Sequence, residues 1–242
     1  MLHLDLTKDR QALRTEFAKD RRINIPDIWH LASAELIAET LSGETPYKSA
    51  FTAGSKVQSL WDDEMRLLPP EQQRLIQKQI YQNAANGIGF IYGTHMLGSP
   101  QRLPTPAVLQ QAHQLVNSEA VLDFVRDISG FDNIVCASMQ ATRYLPGNFL
   151  TRHNDVVGEE GRLLAYVFGF TPQWHPDWGG LLQFFTAAGE PISAIVPQMN
   201  NLVIFDVHHP HAVSFVTPFA KAHRFSLTGW FRSKPQTAGG LG

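Results

Sequence analysis

The sequence lacks the features that mark secreted, disulfide-bonded or membrane-spanning proteins. Its 242 residues include a single cysteine, Cys136, so neither a disulfide within the chain nor a cysteine-rich zinc site is expected. No uninterrupted apolar stretch reaches the ~18 residues of a membrane-spanning helix. The opening stretch "MLHLDLTKDR" lacks the apolar segment of a signal peptide. We therefore expect a cytoplasmic protein without a membrane partner.

An excess of positive charge is also missing. Lysine and arginine number 20 against 22 aspartates and glutamates, which gives a formal net charge of −2. Electrostatic binding of nucleic acid needs a basic patch, so no nucleic-acid partner is expected. A content of 43% hydrophobic and 17% charged residues is typical of a globular protein, and the length suits one large domain. Composition leaves the oligomeric state open.

The sequence pattern changes near residue 130. Before it, four stretches carry helix-forming residues with start or stop signals: "DRQALRTEFAKD", "PEQQRLIQKQIYQNAANG", "TPAVLQQAHQLVN" and "SEAVLDFVRDISG". After it, short β-branched and aromatic runs alternate with Gly, Pro and Asn, which indicates a jelly roll or a related barrel. We predict a mostly helical extension at 1–130 packed outside a mainly β core at 131–235. A flexible tail is expected at 236–242.

The stretch "TRHND" contains the first candidate functional pair. His153 and Asp155 are two residues apart, so in an extended chain their side chains point to the same side. A third ligand must come from elsewhere, and "HHPH" offers His208, His209 and His211 as alternatives. Two histidines and one carboxylate form the facial triad of non-haem Fe(II) oxygenases. Without a third ligand, the pair would be no more than a polar bend.

The last predicted strand, "HRFSLTGWF", supplies a candidate anion-binding residue. Arg224, Ser226 and Thr228 alternate onto one face of this strand, and the strand carries no acidic residue. A buried arginine without a carboxylate partner is costly, and a ligand carboxylate would relieve that cost. Ser226 would add a hydroxyl donor to the same ligand. The alternative is an ordinary ion pair with an acidic residue elsewhere in the chain.

Five blocks of the second half occur in an order that one family shows: "YLPGNFLTRHND", "WGGLLQFF", "VPQMNNLVIF", "HAVSFV" and "HRFSLTGWF". Together they resemble the prolyl 4-hydroxylase-like branch of the 2-oxoglutarate and Fe(II)-dependent dioxygenases, over roughly residues 134–232. The resemblance implies a double-stranded β-helix that binds Fe(II) through His153, Asp155 and His211. It favours His211 because the distal histidine of the family precedes a pattern like "HAVSFV".

The resemblance also implies co-substrate contacts and an activity. Arg224 would bind the far carboxylate of 2-oxoglutarate, with Ser226 beside it, and Tyr144 would contact co-substrate or substrate. The implied enzyme hydroxylates a substrate C–H bond, most typically in a prolyl residue of a protein or peptide. It uses Fe(II), 2-oxoglutarate and O2, with ascorbate as a supporting reductant, and it releases succinate and CO2. A hydroxylase of a free amino acid or another small molecule and a non-catalytic jelly-roll binding module are the alternatives.

Some positions depart from the family pattern or from neighbouring families. Gly169 stands where some relatives have a pocket tyrosine, which leaves the second partner of the 2-oxoglutarate carboxylate undetermined. A nucleic-acid demethylase of the superfamily would have a second arginine at the position of Trp230. The segment "FTPQWHPDWGG" is expected to be a loop at the barrel mouth. Its Trp174 and Trp178 would form either a substrate wall or a cap on the core.

Overall fold

The fold comes from a computed structural model that describes residues 1–235, so the predicted tail at 236–242 lies outside the described residues. The helices are α1 (Arg10–Asp20), α2 (Leu31–Gly43), α3 (Asp62–Leu67), α4 (Pro70–Asn86), α5 (Ala107–Val116) and α6 (Glu119–Ser129). The strands are β1 (Arg22–Pro26), β2 (Lys48–Ala53), β3 (Lys56–Trp61), β4 (Phe90–Leu97), β5 (Cys136–Ala137), β6 (Met139–Tyr144), β7 (Phe149–His153), β8 (Arg162–Phe170), β9 (Leu182–Phe185), β10 (Pro191–Ile195), β11 (Met199–Asp206), β12 (His211–Val213) and β13 (Arg224–Arg232).

The helices form where the sequence carries their capping signals. The side chain of Asp9 accepts a hydrogen bond from the Ala12 N–H and begins α1, and Pro70 occupies the first turn of α4. Helix α6 ends at Gly130, whose φ of 75° is left-handed and whose N–H bonds to the Arg126 carbonyl. Among the helices of residues 1–235, none combines the length and the apolar character that crossing a bilayer requires.

The strands join into one sheet in the order β1–β11–β8–β13–β6–β4–β7–β12–β9–β10, with β2 and β3 added beside β4 and β5 beside β13. Strands β9 and β11 lie far apart in this order, yet the rings of Phe184 and Phe205 are 5.0 Å apart. The sheet therefore curls until its two ends face each other around an interior. This architecture confirms the predicted mainly β fold, a jelly roll with helices packed outside.

Strand β8 shows how the two faces of the sheet are used. Its side chains Leu164, Tyr166 and Phe168 belong to the large core between the sheet and the helices. Ala165 instead packs inside the barrel, against residues of β9 and β11. The strand lies between β11 and β13, as its apolar character on both faces predicts.

The first part of the chain holds more β structure than its sequence predicts. It is mostly helical, but β1–β4 also come from it, and β4 lies between β6 and β7 in the sheet. The hairpin of β2 and β3 is polar and largely exposed in β3, so it carries little strand signal by itself. The division at residue 130 stays a prediction.

Candidate metal and co-substrate site

His153, Asp155 and His211 meet at the junction of β7 and β12. The two strands are antiparallel neighbours, with His153 opposite His211, and the Asp155 N–H is fixed by the Val207 carbonyl at 3.0 Å. Nε2 of His153 lies 3.6 Å from Oδ1 of Asp155, and Nε2 of His211 lies 3.5 Å from its Oδ2. One ligand atom from each residue lies within 4.8 Å of the others, so the cluster can hold a metal ion.

Backbone carbonyls orient both imidazoles toward the centre of this cluster. Nδ1 of His153 donates to the Thr151 carbonyl at 3.0 Å, and Nδ1 of His211 donates to the His209 carbonyl at 3.0 Å. A carbonyl oxygen can only accept, so each Nδ1 carries the hydrogen and each Nε2 presents its lone pair. This arrangement fixes the tautomer that a metal requires.

The electrostatics of the cluster keep the histidine neutral and the carboxylate charged. Burial lowers the pKa of His211 to about 4, against the opposing effect of the Asp155 charge. Burial alone would raise the pKa of Asp155, but its interactions with the His153 and His211 imidazoles outweigh burial and lower that pKa. Neutral imidazole and ionised carboxylate are the forms that coordinate a metal.

The other two candidate histidines lie outside the cluster. The side chain of His208 is 78% exposed and its Nδ1 lies 2.7 Å from Oδ1 of Asp206. Nε2 of His209 bonds to the carbonyl of Asp20 at 2.7 Å. Of the three histidines that the sequence leaves open, the structure brings His211 to His153 and Asp155.

Arg224 lines the same cavity of about 570 Å³ as the metal cluster. It is only 5% exposed, and its Nη1 donates to the Gly180 carbonyl at 2.7 Å. Its guanidinium carbon lies 5.1 Å from the centre of the Tyr144 ring. No carboxylate within residues 1–235 forms an ion pair with it, and burial lowers its pKa. The ordinary Arg–Asp pair that the sequence leaves open is therefore not formed within these residues.

The loop between β8 and β9 supports Arg224, which gives one of its tryptophans a packing role. Nε1 of Trp174 donates to the Gly179 carbonyl at 2.8 Å, and the rings of Trp174 and Trp178 meet edge to face at 5.4 Å. Trp174 also packs against the apolar cluster formed by Tyr144, Val213 and Val216. Gly180 has a φ of 64°, which places its carbonyl toward Arg224 in a backbone conformation suited to glycine.

Tyr144 and Ser226 occupy different places around Arg224. Tyr144 is buried, lines the large cavity and stacks on Tyr92 with ring centres 5.3 Å apart; burial raises the pKa of its hydroxyl. The hydroxyl of Ser226 shares a hydrogen bond of 2.9 Å with that of Thr142. Ser226 lines a smaller neighbouring cavity that also reaches Arg224.

One cationic residue of the cavity is missed by sequence reasoning. The Arg162 guanidinium lies 3.6 Å from the centre of the Trp230 ring, and its Nε bonds to Glu160 at 2.9 Å. The indole N–H of Trp230 in turn approaches the carboxylate of Asp155 and lowers its pKa. The signal for Arg162 is an arginine at the start of the otherwise apolar "RLLAYVFGF", which by itself resembles an ordinary strand end.

Comparisons with known proteins agree with this geometry. Residues 139–232, which contain the metal cluster and Arg224, match the 2OG-Fe(II) oxygenase superfamily. The prolyl 3-hydroxylase OGFOD1 of Mus musculus is 30% identical over 111 residues, or 43% of this chain and 20% of that protein. The Xenopus laevis protein of the same name is 30% identical over 119 residues, 45% of this chain and 23% of that protein. The chain thus spans about a fifth of the length of these relatives.

Solved structures share the fold at low identity. A prolyl-4-hydroxylase of Pseudomonas putida has a TM-score of 0.60 at 19% identity, covering 92% of this chain and 98% of that one. A prolyl hydroxylase of Trichoplax adhaerens, solved with a hypoxia inducible factor peptide fragment, has a TM-score of 0.59 at 17% identity, covering 94% and 92%. The superfamily uses Fe(II), 2-oxoglutarate and O2, and His153, Asp155 and His211 can bind the metal. Residues 139–232 are therefore similar to the 2OG-Fe(II) oxygenase superfamily, as the sequence predicts, and prolyl hydroxylases are among the proteins that the chain resembles in sequence or in fold.

Proposed function

We propose that this chain hydroxylates a prolyl residue of a protein or peptide, with conversion of 2-oxoglutarate and O2 to succinate and CO2. One observation carries the proposal. The cluster of His153, Asp155 and His211 and the buried Arg224, which pairs with no carboxylate of residues 1–235, line a single cavity. A metal centre and a separate anion site in one cavity are what a metal-chelating dicarboxylate requires.

Fe(II) would be held by the Nε2 atoms of His153 and His211 and by the carboxylate of Asp155. This donor set suits Fe(II), and three protein ligands leave further coordination positions open. When bound, the metal supplies the oxidation in which one atom of O2 enters the substrate C–H bond and the other enters succinate. The chain's own contribution is to orient both imidazoles through the Thr151 and His209 carbonyls and to keep Asp155 ionised.

Arg224 would bind the far carboxylate of 2-oxoglutarate. Its guanidinium has one hydrogen bond, to the Gly180 carbonyl, and its remaining donors are available to a planar carboxylate. Tyr144 lies against this guanidinium and would exclude water from the ion pair. Ser226 would act from the neighbouring small cavity, where its hydroxyl is already shared with Thr142.

The prolyl substrate is supported by the names of the relatives, which are prolyl hydroxylases. Those relatives are either much longer than this chain or share its fold at low identity. A free amino acid or another small molecule is the alternative that the same site would accept. The cytoplasmic location, the lack of a nucleic-acid partner and the supporting role of ascorbate stay predictions.

The proposal is tested by the fate of one oxygen atom. We would incubate the protein with Fe(II), 2-oxoglutarate and O2 beside a set of proline-containing peptides and, separately, free amino acids. Mass spectrometry should find a peptide gaining one oxygen at proline, together with succinate. His153→Ala should abolish both products, and His208→Ala, at an exposed histidine outside the metal cluster, should leave both unchanged. Hydroxylation of free amino acids alone would overturn the prolyl proposal. If no incubation produced succinate, the result would favour a non-catalytic binding module.

A further inference from the structure

Gly169 leaves a gap in the wall of the barrel beside Arg224. It lies on β8 between two partners, Ser226 on β13 and Asn201 on β11. Its missing side chain would point into the small cavity that Arg224, Ser226 and Asn201 also line. A Cβ built on Gly169 would lie 2.2 Å from Oδ1 of Asn201, so the Asn201 amide fills the space that a side chain at 169 would need.

The side-chain amide of Asn201 is buried, and only its nitrogen has a hydrogen-bond partner among residues 1–235. The residue is 5% exposed, and its Nδ2 donates to Oδ1 of Asn24 at 3.0 Å. Its own Oδ1 is buried without a hydrogen-bond partner among residues 1–235. An unpaired buried polar atom is costly, so its presence at a cavity points to a partner that arrives with a ligand.

A turn of the amide makes Asn201 a donor to that ligand. The side-chain amide has nearly the same shape when its oxygen and nitrogen exchange places. Asn24 lies at the exposed edge strand β1, so its own amide is free to turn at the same time. If both turn, their mutual hydrogen bond is kept and Nδ2 of Asn201 faces the cavity.

Two other polar groups of the small cavity, the hydroxyls of Thr171 and Ser226, are already engaged. The hydroxyl of Thr171 accepts from the Phe225 N–H at 3.1 Å, and the hydroxyl of Ser226 is shared with Thr142. Asn201 and Arg224 approach the same cavity from strands on opposite sides of β8, about 10 Å apart by two strand spacings. At that separation, the two side chains can both donate hydrogen bonds to one carboxylate that lies between them.

We infer that Asn201 is a co-substrate-binding residue that donates, together with Arg224, to the far carboxylate of 2-oxoglutarate. The inference rests on the proposed function. It assigns to Asn201 the place that Gly169 leaves vacant. If Asn201 holds the far carboxylate, its substitution must weaken the binding only of oxo acids that possess that carboxylate.

The test compares two oxo acids by calorimetric titration into the Mn(II)-loaded protein without O2. 2-Oxoglutarate has the far carboxylate and 2-oxobutyrate lacks it. We expect Asn201→Ala to weaken 2-oxoglutarate about tenfold, as for loss of a hydrogen bond to a charged group, and to leave 2-oxobutyrate unchanged. Asn201→Asp should weaken 2-oxoglutarate further through charge repulsion. Asn24→Ala is the control that removes the outer amide but no donor to the ligand, and it should have little effect.

A second variant keeps the inference testable if Asn201→Ala does not fold. Gly169→Ala retains Asn201, but its Cβ would lie 2.2 Å from the Asn201 amide oxygen and 2.5 Å from the Gln198 carbonyl oxygen, so both must shift. The displaced amide should cause a similar selective loss of 2-oxoglutarate binding. Both substitutions remove the same contact, so their effects should not add. The affinity of the double variant for 2-oxoglutarate should therefore equal that of whichever single variant binds it less tightly. Unchanged 2-oxoglutarate binding in the Asn201 variants, or an equal loss for 2-oxobutyrate, would overturn the inference alone. Absence of 2-oxoglutarate binding in the wild type would overturn the proposed function as well.

Discussion

Arg224 donates to the carbonyl of Gly180 at 2.7 Å, and this is the single hydrogen bond of its guanidinium within residues 1–235. The charge is buried, and no carboxylate of the described residues forms an ion pair with it. The protein therefore holds a costly cation where the proposed co-substrate brings its second negative charge.

Arg224→Met should leave the stability of the ligand-free protein unchanged or higher, and it should weaken 2-oxoglutarate binding. Replacing a poorly compensated buried charge by an apolar side chain is neutral or stabilising, by up to about 4 kcal/mol. In the wild type, Mn(II) plus 2-oxoglutarate at a hundred times its Kd should instead raise the free energy of unfolding by about 2.7 kcal/mol. Urea unfolding with and without 2-oxoglutarate measures both effects, with Arg224→Lys as the charge-retaining control. An Arg224→Met variant that 2-oxoglutarate stabilises as strongly as the wild type would contradict the assignment.

His211 and His209 form a matched pair for testing the metal site. His211→Ala should lower Mn(II) affinity at least tenfold, because it removes one of three ligands from the buried cluster. His209→Ala removes a histidine two residues away whose Nε2 bonds to the Asp20 carbonyl instead. Mn(II) titration followed by electron paramagnetic resonance should show unchanged binding in that variant. Equal losses in the two variants would mean that the third ligand is wrongly assigned.

His95 should make the metal-free protein less stable as the pH falls. It is buried between the Pro46 carbonyl and the Thr105 hydroxyl, and burial lowers its pKa despite the Pro46 hydrogen bond. The unfolded chain binds the proton first, near pH 6.5, so stability is complete above that value and declines below it. His95→Gln should reduce this slope in chemical unfolding at several pH values. The same slope in both proteins would count against a neutral, buried His95.

Two glycines with left-handed backbones should respond differently to alanine. Gly54 has a φ of 62° and open space around it, so Gly54→Ala should cost about 1 kcal/mol from the backbone alone. Gly179 has a φ of 71°, and a Cβ there would lie 1.9 Å from the Phe215 carbonyl oxygen. Gly179→Ala should therefore cost more than about 3 kcal/mol in urea unfolding. Similar costs at the two sites would show that the loop can move away from Phe215.

The sequence predicts the β core well because each strand there carries its own signal. Strands such as β8 and β13 are long, apolar and bounded by turn residues, and their pairing follows from the blocks that resemble the family. Strands β2 and β3 are not predicted, because β3 gains stability only by pairing with β2, which in turn pairs with β4. Local patterns cannot show that pairing.

The candidate site shows the same limit. The spacing of His153 and Asp155 is local, so their convergence is predictable from an extended chain. The choice of His211 over His209 needs the register of β12 against β7, and the sequence supplies it only through the resemblance. The contacts of Arg224 with Gly180 and of Arg162 with Trp230 join distant strands and loops, so no spacing reveals them.

The metal cluster and Arg224 together form the proposed binding site for 2-oxoglutarate. The most direct measurement adds Fe(II) and then 2-oxoglutarate without O2 and records the weak visible charge-transfer band of the chelate. We predict a band in the wild type, its loss in His153→Ala, and a shift to higher 2-oxoglutarate concentration in Arg224→Ala. A wild type that binds no iron and shows no band would contradict the account and leave a jelly-roll binding module in its place.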